Sequence, residues 1–163
     1  MKLNNTISLL ALTAAFCAIA PAQSGLTVKH IQTPTAAIAS AVWVGDTLYV
    51  SGQLPSPVTP ADKGTPAVWG DTKTQTASVL GKIEALLKEQ GLGMGDVVMM
   101  HAYMLGDPAN GGKLDFAGMN GVYSQFFGTK EQPNKPARST VQVAALAAPG
   151  PLLEVEVIAV KSK

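Results

Sequence analysis

The chain has 163 residues, of which 47% are apolar and only 14% charged, with a formal net charge of +1. This length suggests one domain that can bury a core without disulfides. The balanced charge and the lack of a basic patch argue against nucleic-acid binding, and the shortage of charged surface favours burial of apolar surface between subunits.

Residues 1–22 have the pattern of a secretory signal peptide rather than a membrane anchor. Lys2 gives a short positive segment, residues 7–20 form an apolar run too short to span a bilayer comfortably, and small residues follow at a cleavage site. We therefore expect an exported protein, periplasmic or secreted, whose single domain covers residues 23–163. The only cysteine, Cys17, lies in the leader, so the mature chain can form neither a disulfide nor a thiolate site.

The first half of the domain reads as three strands and a helix. A short strand is predicted over residues 27–31, and residues 40–44 and 47–52 flank Gly45-Asp46 as a β-hairpin. A long Pro- and Gly-rich loop follows. Apolar spacing then predicts a helix over residues 72–90, with Asp71 as its N-cap.

The second half predicts a buried strand over residues 96–105, a helix over 114–127 and two final strands. The final stretch, PARSTVQVAALAAPGPLLEVEVIAV, reads as two buried strands joined by a turn. The order β-β-β-α-β-α-β-β predicts an α+β fold with two helices on one face of a mixed sheet. Because the last strand is largely apolar on both faces, we expect a second subunit to cover the other face. The apolar stripe of the second helix is predicted to contain Phe116, Met119, Tyr123, Phe126 and Phe127.

Arg138 is the only arginine of the chain and begins the first of the two final strands. A planar guanidinium is suited to hold a carboxylate by two parallel hydrogen bonds. Glu154, expected one strand over, offers two interpretations. It could form a structural ion pair with Arg138, or Arg138 could bind a substrate carboxylate while Glu154 handles a proton, as a glutamate in a partly dry pocket can.

Four segments carry a resemblance that covers nearly all of the mature chain: VGDTLYVSGQLP, QTASVLGKIEALLKEQGLGMGDVVMMHAYM, FAGMNGVYSQFF and PARSTVQVAAL with LLEVEVIAV. They resemble the RidA/YjgF/UK114 family of reactive intermediate deaminases. The resemblance implies a chorismate-mutase-like α+β fold and a homotrimer with a central barrel and pockets between subunits. It also implies hydrolysis of amino-acid-derived enamines and imines to 2-oxo acids and ammonia, without a cofactor.

The resemblance also assigns the candidate site residues. It implies that Arg138 binds the substrate carboxylate and that Glu154 positions or activates water. It implies that the substrate pocket is lined by Ser51, Gly52, Asn120 and Thr140. Asn120 has only a supporting role there and could equally be a structural cap or an interface contact. Glu156 corresponds to a second family glutamate and is interpreted as structural. Ile38 stands where active members carry a tyrosine, so a hydroxyl near the substrate is missing.

Other residues give weaker signals. His30 and His101 have no cysteine or clustered carboxylates near them in sequence, so no metal site is predicted, and His101 reads as a satisfied core histidine. The leading hypothesis is therefore an exported enamine/imine deaminase-like hydrolase. The alternatives are a small-carboxylate-binding protein without turnover and a holdase-like trimer.

Overall fold

The computed structural model describes residues 25–162, so the predicted signal peptide lies outside the described residues. Every predicted helix and strand is confirmed, with ends that move by one or two residues. The strands are β1 Val28–Ile31, β2 Ala41–Val44, β3 Thr47–Gln53, β4 Val97–Met104, β5 Ala137–Gln142 and β6 Leu153–Val160, and the helices are α1 Thr72–Glu89 and α2 Phe116–Phe126. No helix of the described part is long and apolar enough to cross a membrane.

The six strands form one mixed sheet in the order β1-β2-β3-β6-β4-β5. Only β4 and β5 pair in parallel, and α2 supplies the crossover that a parallel pair requires. The expectation that β5 and β6 are neighbouring buried strands is wrong, because β4 lies between them and β5 is a largely exposed edge strand. The central position suits β6, since it satisfies the strand's backbone on both sides and buries its apolar face.

The two faces of the sheet differ in what covers them. Leu153, Val155, Val157 and Ala159 of β6 are fully buried against the helices. The alternate residues of β6 are only half-buried and face the other side, which we call the open face. On β4 the residues of the open face include His101 and Tyr103, and on β3 they include Tyr49. The prediction that the helices cover one face of the sheet is therefore confirmed.

Both helices begin at aspartate caps. Asp71 accepts from the Thr74 backbone N–H at 2.8 Å, and Asp115 accepts from that of Gly118 at 2.8 Å. In α2 the predicted apolar stripe is right except at Phe116, which is 47% exposed. Phe116 is the first residue of α2 and lies at the rim of the helix layer rather than in the core, beside the guanidinium of Arg138 on β5.

Candidate active site

Arg138 lies on β5 and points to the side of the sheet that carries α2. It pairs with Met100 of β4, whose side chain is fully buried on the helix side. Its Nη2 donates to Asn120 Oδ1 at 2.8 Å. Its Cζ lies 4.4 Å from the ring centre of Tyr123 and 5.6 Å from that of Phe116. Its Nη1 makes a longer contact with the Met119 sulfur at 4.0 Å. The guanidinium is thus oriented by Asn120, the Met119 sulfur and two aromatic rings.

No carboxylate among residues 25–162 pairs with Arg138. Asn120 and the two rings are neutral, and burial raises the pKa of the Tyr123 hydroxyl, so that ring carries no compensating charge. A guanidinium has five donors, and Asn120 and the Met119 sulfur occupy two of them. The half-buried positive charge of Arg138 therefore retains donors for an anion.

Thr140 lies two residues along β5 from Arg138, on the same side of the sheet. Its Oγ1 is buried, and within residues 25–162 it has no hydrogen-bond partner. A buried hydroxyl without a partner is uncommon and costly. Arg138, Asn120 and Thr140 therefore form a polar cluster, the arginine half-site, whose hydrogen-bonding capacity is incompletely used.

Glu154 lies on β6 with its side chain over Gly52 of β3. A methyl group at Gly52 would collide with the Glu154 carboxylate, so the absence of a side chain at Gly52 allows the carboxylate to lie there. Ser51 donates from Oγ to the Ala39 backbone oxygen at 2.7 Å, which ties β3 to the segment before β2. Ser51, Gly52 and Glu154 form a second cluster, the glutamate half-site. Within residues 25–162 no donor forms a hydrogen bond to Glu154.

The two half-sites lie on opposite faces of the sheet. Glu154 pairs with Tyr103 on the open face, whereas Arg138 is on the helix side and β4 separates their strands. The expected position of Glu154 one strand over from Arg138 is therefore wrong, and an ion pair between them within one chain is wrong as well. The six residues implied by the resemblance form two groups of three that do not meet inside one protomer.

Sequence reasoning missed a third cluster, on the open face beside Glu154. His101 Nδ1 lies 3.0 Å from Glu156 Oε1, and the Tyr103 hydroxyl donates to the same oxygen at 3.1 Å. His101 is satisfied, as predicted, but it is not a core residue, since 32% of its side chain is exposed. The sequence does contain one signal for this cluster: His101 and Tyr103 alternate along β4, as Glu154 and Glu156 do along β6.

The remaining predictions concern Ile38 and metals. Ile38 is 69% exposed, in the loop that Ser51 ties to β3, and its side chain lacks the hydroxyl that the resemblance places there. Within residues 25–162, no three histidine, cysteine or acidic side chains are close enough together to hold a metal ion.

Comparison with known proteins gives a consistent result over the folded part of the chain. Residues 27–161 match the family model described as Endoribonuclease L-PSP. A RutC family protein of Pyrococcus abyssi is 38% identical over 78% of this chain and 89% of that protein. TdcF of Escherichia coli, a proposed reactive intermediate deaminase, is 37% identical over 73% of this chain and 82% of the TdcF chain.

Solved structures agree. The crystal structure of Escherichia coli TdcF with bound serine matches with a TM-score of 0.63 and 33% identity, over 82% of this chain and 99% of that one. A YjgF-family protein of Neisseria meningitidis matches with a TM-score of 0.62 and 28% identity, over 85% and 98% of the two chains. The fold and the sequence matches lead to one conclusion: this chain belongs to the YjgF/RidA family.

Proposed function

We propose that this protein is an enamine/imine deaminase-like hydrolase. It takes 2-imino acids, and the enamines in equilibrium with them, and releases 2-oxo acids and ammonia. The observation that carries the proposal is the guanidinium of Arg138, which within residues 25–162 pairs with no carboxylate and is held in place by neutral groups only. With the leader expected at residues 1–22, we propose that the reaction takes place after export.

Arg138 supplies the affinity for a substrate carboxylate. A carboxylate facing the guanidinium gains two charge-assisted hydrogen bonds, while Asn120 and the Tyr123 ring keep the guanidinium plane fixed. The Thr140 hydroxyl is buried on the same side of β5 and has no partner within residues 25–162, so it provides one further donor or acceptor for the bound ligand. The arginine half-site can therefore bind an anion, but none of its three side chains could activate water.

Glu154 supplies the proton transfer that the arginine half-site lacks. Hydrolysis needs a base to take a proton from water as the oxygen attacks the imine carbon. It then needs an acid to return that proton to nitrogen as ammonia leaves. One carboxyl can do both in turn. Glu154 is suited to this role because no donor from residues 25–162 binds it and because the absence of a side chain at Gly52 holds a place for its carboxylate.

The two half-sites require two copies of the chain. Arg138 and Glu154 lie on opposite faces of the sheet, so they can act on one small substrate only where the edge of one copy meets the open face of another. Tyr49 is 46% exposed and Val141 47% exposed on that face, which gives it an apolar surface that a second copy would cover. We therefore propose that the site lies between subunits, in the homotrimer that the family resemblance implies.

A receptor without turnover is the second candidate, and exposed Ile38 favours it, because the hydroxyl that the resemblance places there is missing. Both candidates use Arg138 in the same way. They differ only in whether Glu154 turns the bound ligand over.

A coupled assay separates them. An amino-acid oxidase produces imines from a panel of amino acids, and imine decay is followed with and without the purified protein. We expect faster decay with wild type and loss of at least about a hundredfold with Glu154→Gln, the size of a general acid–base contribution. Glu84→Gln, on the exposed side of α1, is the matched control. Equal decay with and without wild type on every imine, combined with measurable binding of 2-oxo acids, would establish the receptor instead.

A further inference from the structure

In the cluster of His101, Tyr103 and Glu156, the carboxylate of Glu156 orients the imidazole of His101. Glu156 Oε1 lies 3.0 Å from His101 Nδ1. Because a carboxylate oxygen accepts, this contact favours the neutral tautomer with its proton on Nδ1. Within residues 25–162 no group forms a hydrogen bond to Nε2. A carboxylate that holds one nitrogen and leaves the other free is the arrangement in which histidine acts as a general base.

Tyr103 links this pair to Glu154. It is the cross-strand partner of Glu154, yet its hydroxyl donates to Glu156 at 3.1 Å. The hydrogen bond to Glu156, burial, and the charges of Glu156 and Glu154 all raise the pKa of Tyr103. The phenol is therefore a neutral donor that lies within the field of both carboxylates. His101 is the diagonal neighbour of Glu154. Diagonal neighbours are roughly 7–8 Å apart, with their Cβ atoms somewhat closer, a spacing that long side chains can bridge.

The surroundings contain few competing charges. The β5 neighbours on the open face, Ser139 and Val141, do not ionise. The other titratable side chains that share the face are Tyr49 on β3 and His30 on β1. Glu156 is thus the carboxylate that bonds to His101, and Glu154 is left for a different task.

We infer that His101, oriented by Glu156 and Tyr103, is a second catalytic residue that interconverts enamine and imine at the site where Glu154 directs water. This inference rests on the proposed function. In the step, Nε2 removes a proton from the carbon next to the imine carbon. The C–H electron pair becomes the new C=C bond, and the C=N π pair moves to nitrogen, which takes a proton from water. The reverse step returns a proton from Nε2 to carbon and regenerates the imine.

Deuterium incorporation tests the inference. Imines are generated by an amino-acid oxidase in D₂O, and a dehydrogenase with NADH reduces the 2-oxo product at once, so the label at the neighbouring carbon is locked in. Mass spectrometry then gives exchange and hydrolysis separately. We expect wild type to accelerate exchange and His101→Gln to lose about a hundredfold of that acceleration, with a fall in the ratio of exchange to hydrolysis. The Glu156→Gln variant should also lose acceleration of exchange. The control is His30→Gln, a change at an exposed position of β1.

Two results would overturn the inference: exchange by His101→Gln at the wild-type rate, or exchange and hydrolysis reduced by one common factor together with a lower melting temperature. A second measurement uses the smaller His101→Ala variant with free imidazole added to the exchange assay. Restored exchange would support a proton-transfer role for His101, and a lack of restoration would oppose it. Failure of the proposed function looks different, since wild type would then exchange deuterium without hydrolysing the imine.

Discussion

Replacement of Arg138 by lysine keeps the positive charge and removes the planar fork. In the structure the fork is held by the 2.8 Å hydrogen bond to Asn120 and by the Tyr123 ring, 4.4 Å from Cζ. An ammonium group cannot bond Asn120 and present two parallel donors to a carboxylate at once. A charge-assisted hydrogen bond contributes about 1.5–3 kcal/mol, so Arg138→Lys should weaken binding of a small 2-oxo acid by roughly ten- to a hundredfold.

Calorimetric titration with pyruvate and 2-oxobutanoate measures this effect. Lys88→Arg, an exposed change on α1, is the control and should bind as wild type does. Because no carboxylate of residues 25–162 pairs with Arg138, the lysine variant should melt close to wild type. The reasoning fails if Arg138→Lys binds as tightly as wild type, or if it melts much lower without ligand, which would make the arginine a structural element of the α2–β5 contact.

Three further changes probe the two half-sites and the helix that supports them. Gly52→Ala should displace the Glu154 carboxylate and cut imine turnover by about a hundredfold, with little change in 2-oxo acid affinity, in the same coupled assay. Thr140→Val should leave the free energy of unfolding equal or up to about 1 kcal/mol higher, because it removes an unpaired buried hydroxyl, while ligand affinity falls up to about tenfold in calorimetry. Asp71→Ala should cost about 1 kcal/mol at pH 7 in urea unfolding. The hydrogen bonds from Thr74 lower the pKa of Asp71, so its contribution is present above about pH 4 and is lost as the pH falls through the lowered value, where the variant and wild type converge.

Local patterns in the sequence predicted the elements well. Asp71 caps α1 as expected, and the alternation of β6 separates a buried face from a half-buried one. These features depend on residues a few positions apart, so the spacing of side chains carries the information.

Strand order was the part that local patterns could not predict. A turn between β5 and β6 suggested a hairpin, but the parallel pairing of β5 with β4 depends on where α2 packs. That single error placed Arg138 and Glu154 side by side. Phe116 shows the same limit, since helical spacing assigns it to the apolar stripe whereas its position at the rim beside Arg138 leaves it exposed.

The family resemblance predicts which residues form the candidate site, but only the register of the strands shows how they divide into two half-sites. Arg138 is level with buried Met100, and Glu154 is level with Tyr103 on the open face. The resemblance gave no catalytic role to the cluster around His101. Alternation places His101 and Tyr103 on one face of β4, but their contact with Glu156 emerges only when β4 and β6 are paired, because His101 and Glu156 are far apart in sequence.

The central claim is that one site is built from two copies, and subunit complementation tests it most directly. Arg138→Ala and Glu154→Gln chains are purified separately, unfolded together, refolded as a mixture and assayed for imine hydrolysis. Each variant alone should be inactive. In the mixture each site draws its arginine from one chain and its glutamate from another, so random assembly should restore about a quarter of wild-type activity. A mixture that stays as inactive as its components, although it assembles normally, would contradict a site shared between subunits.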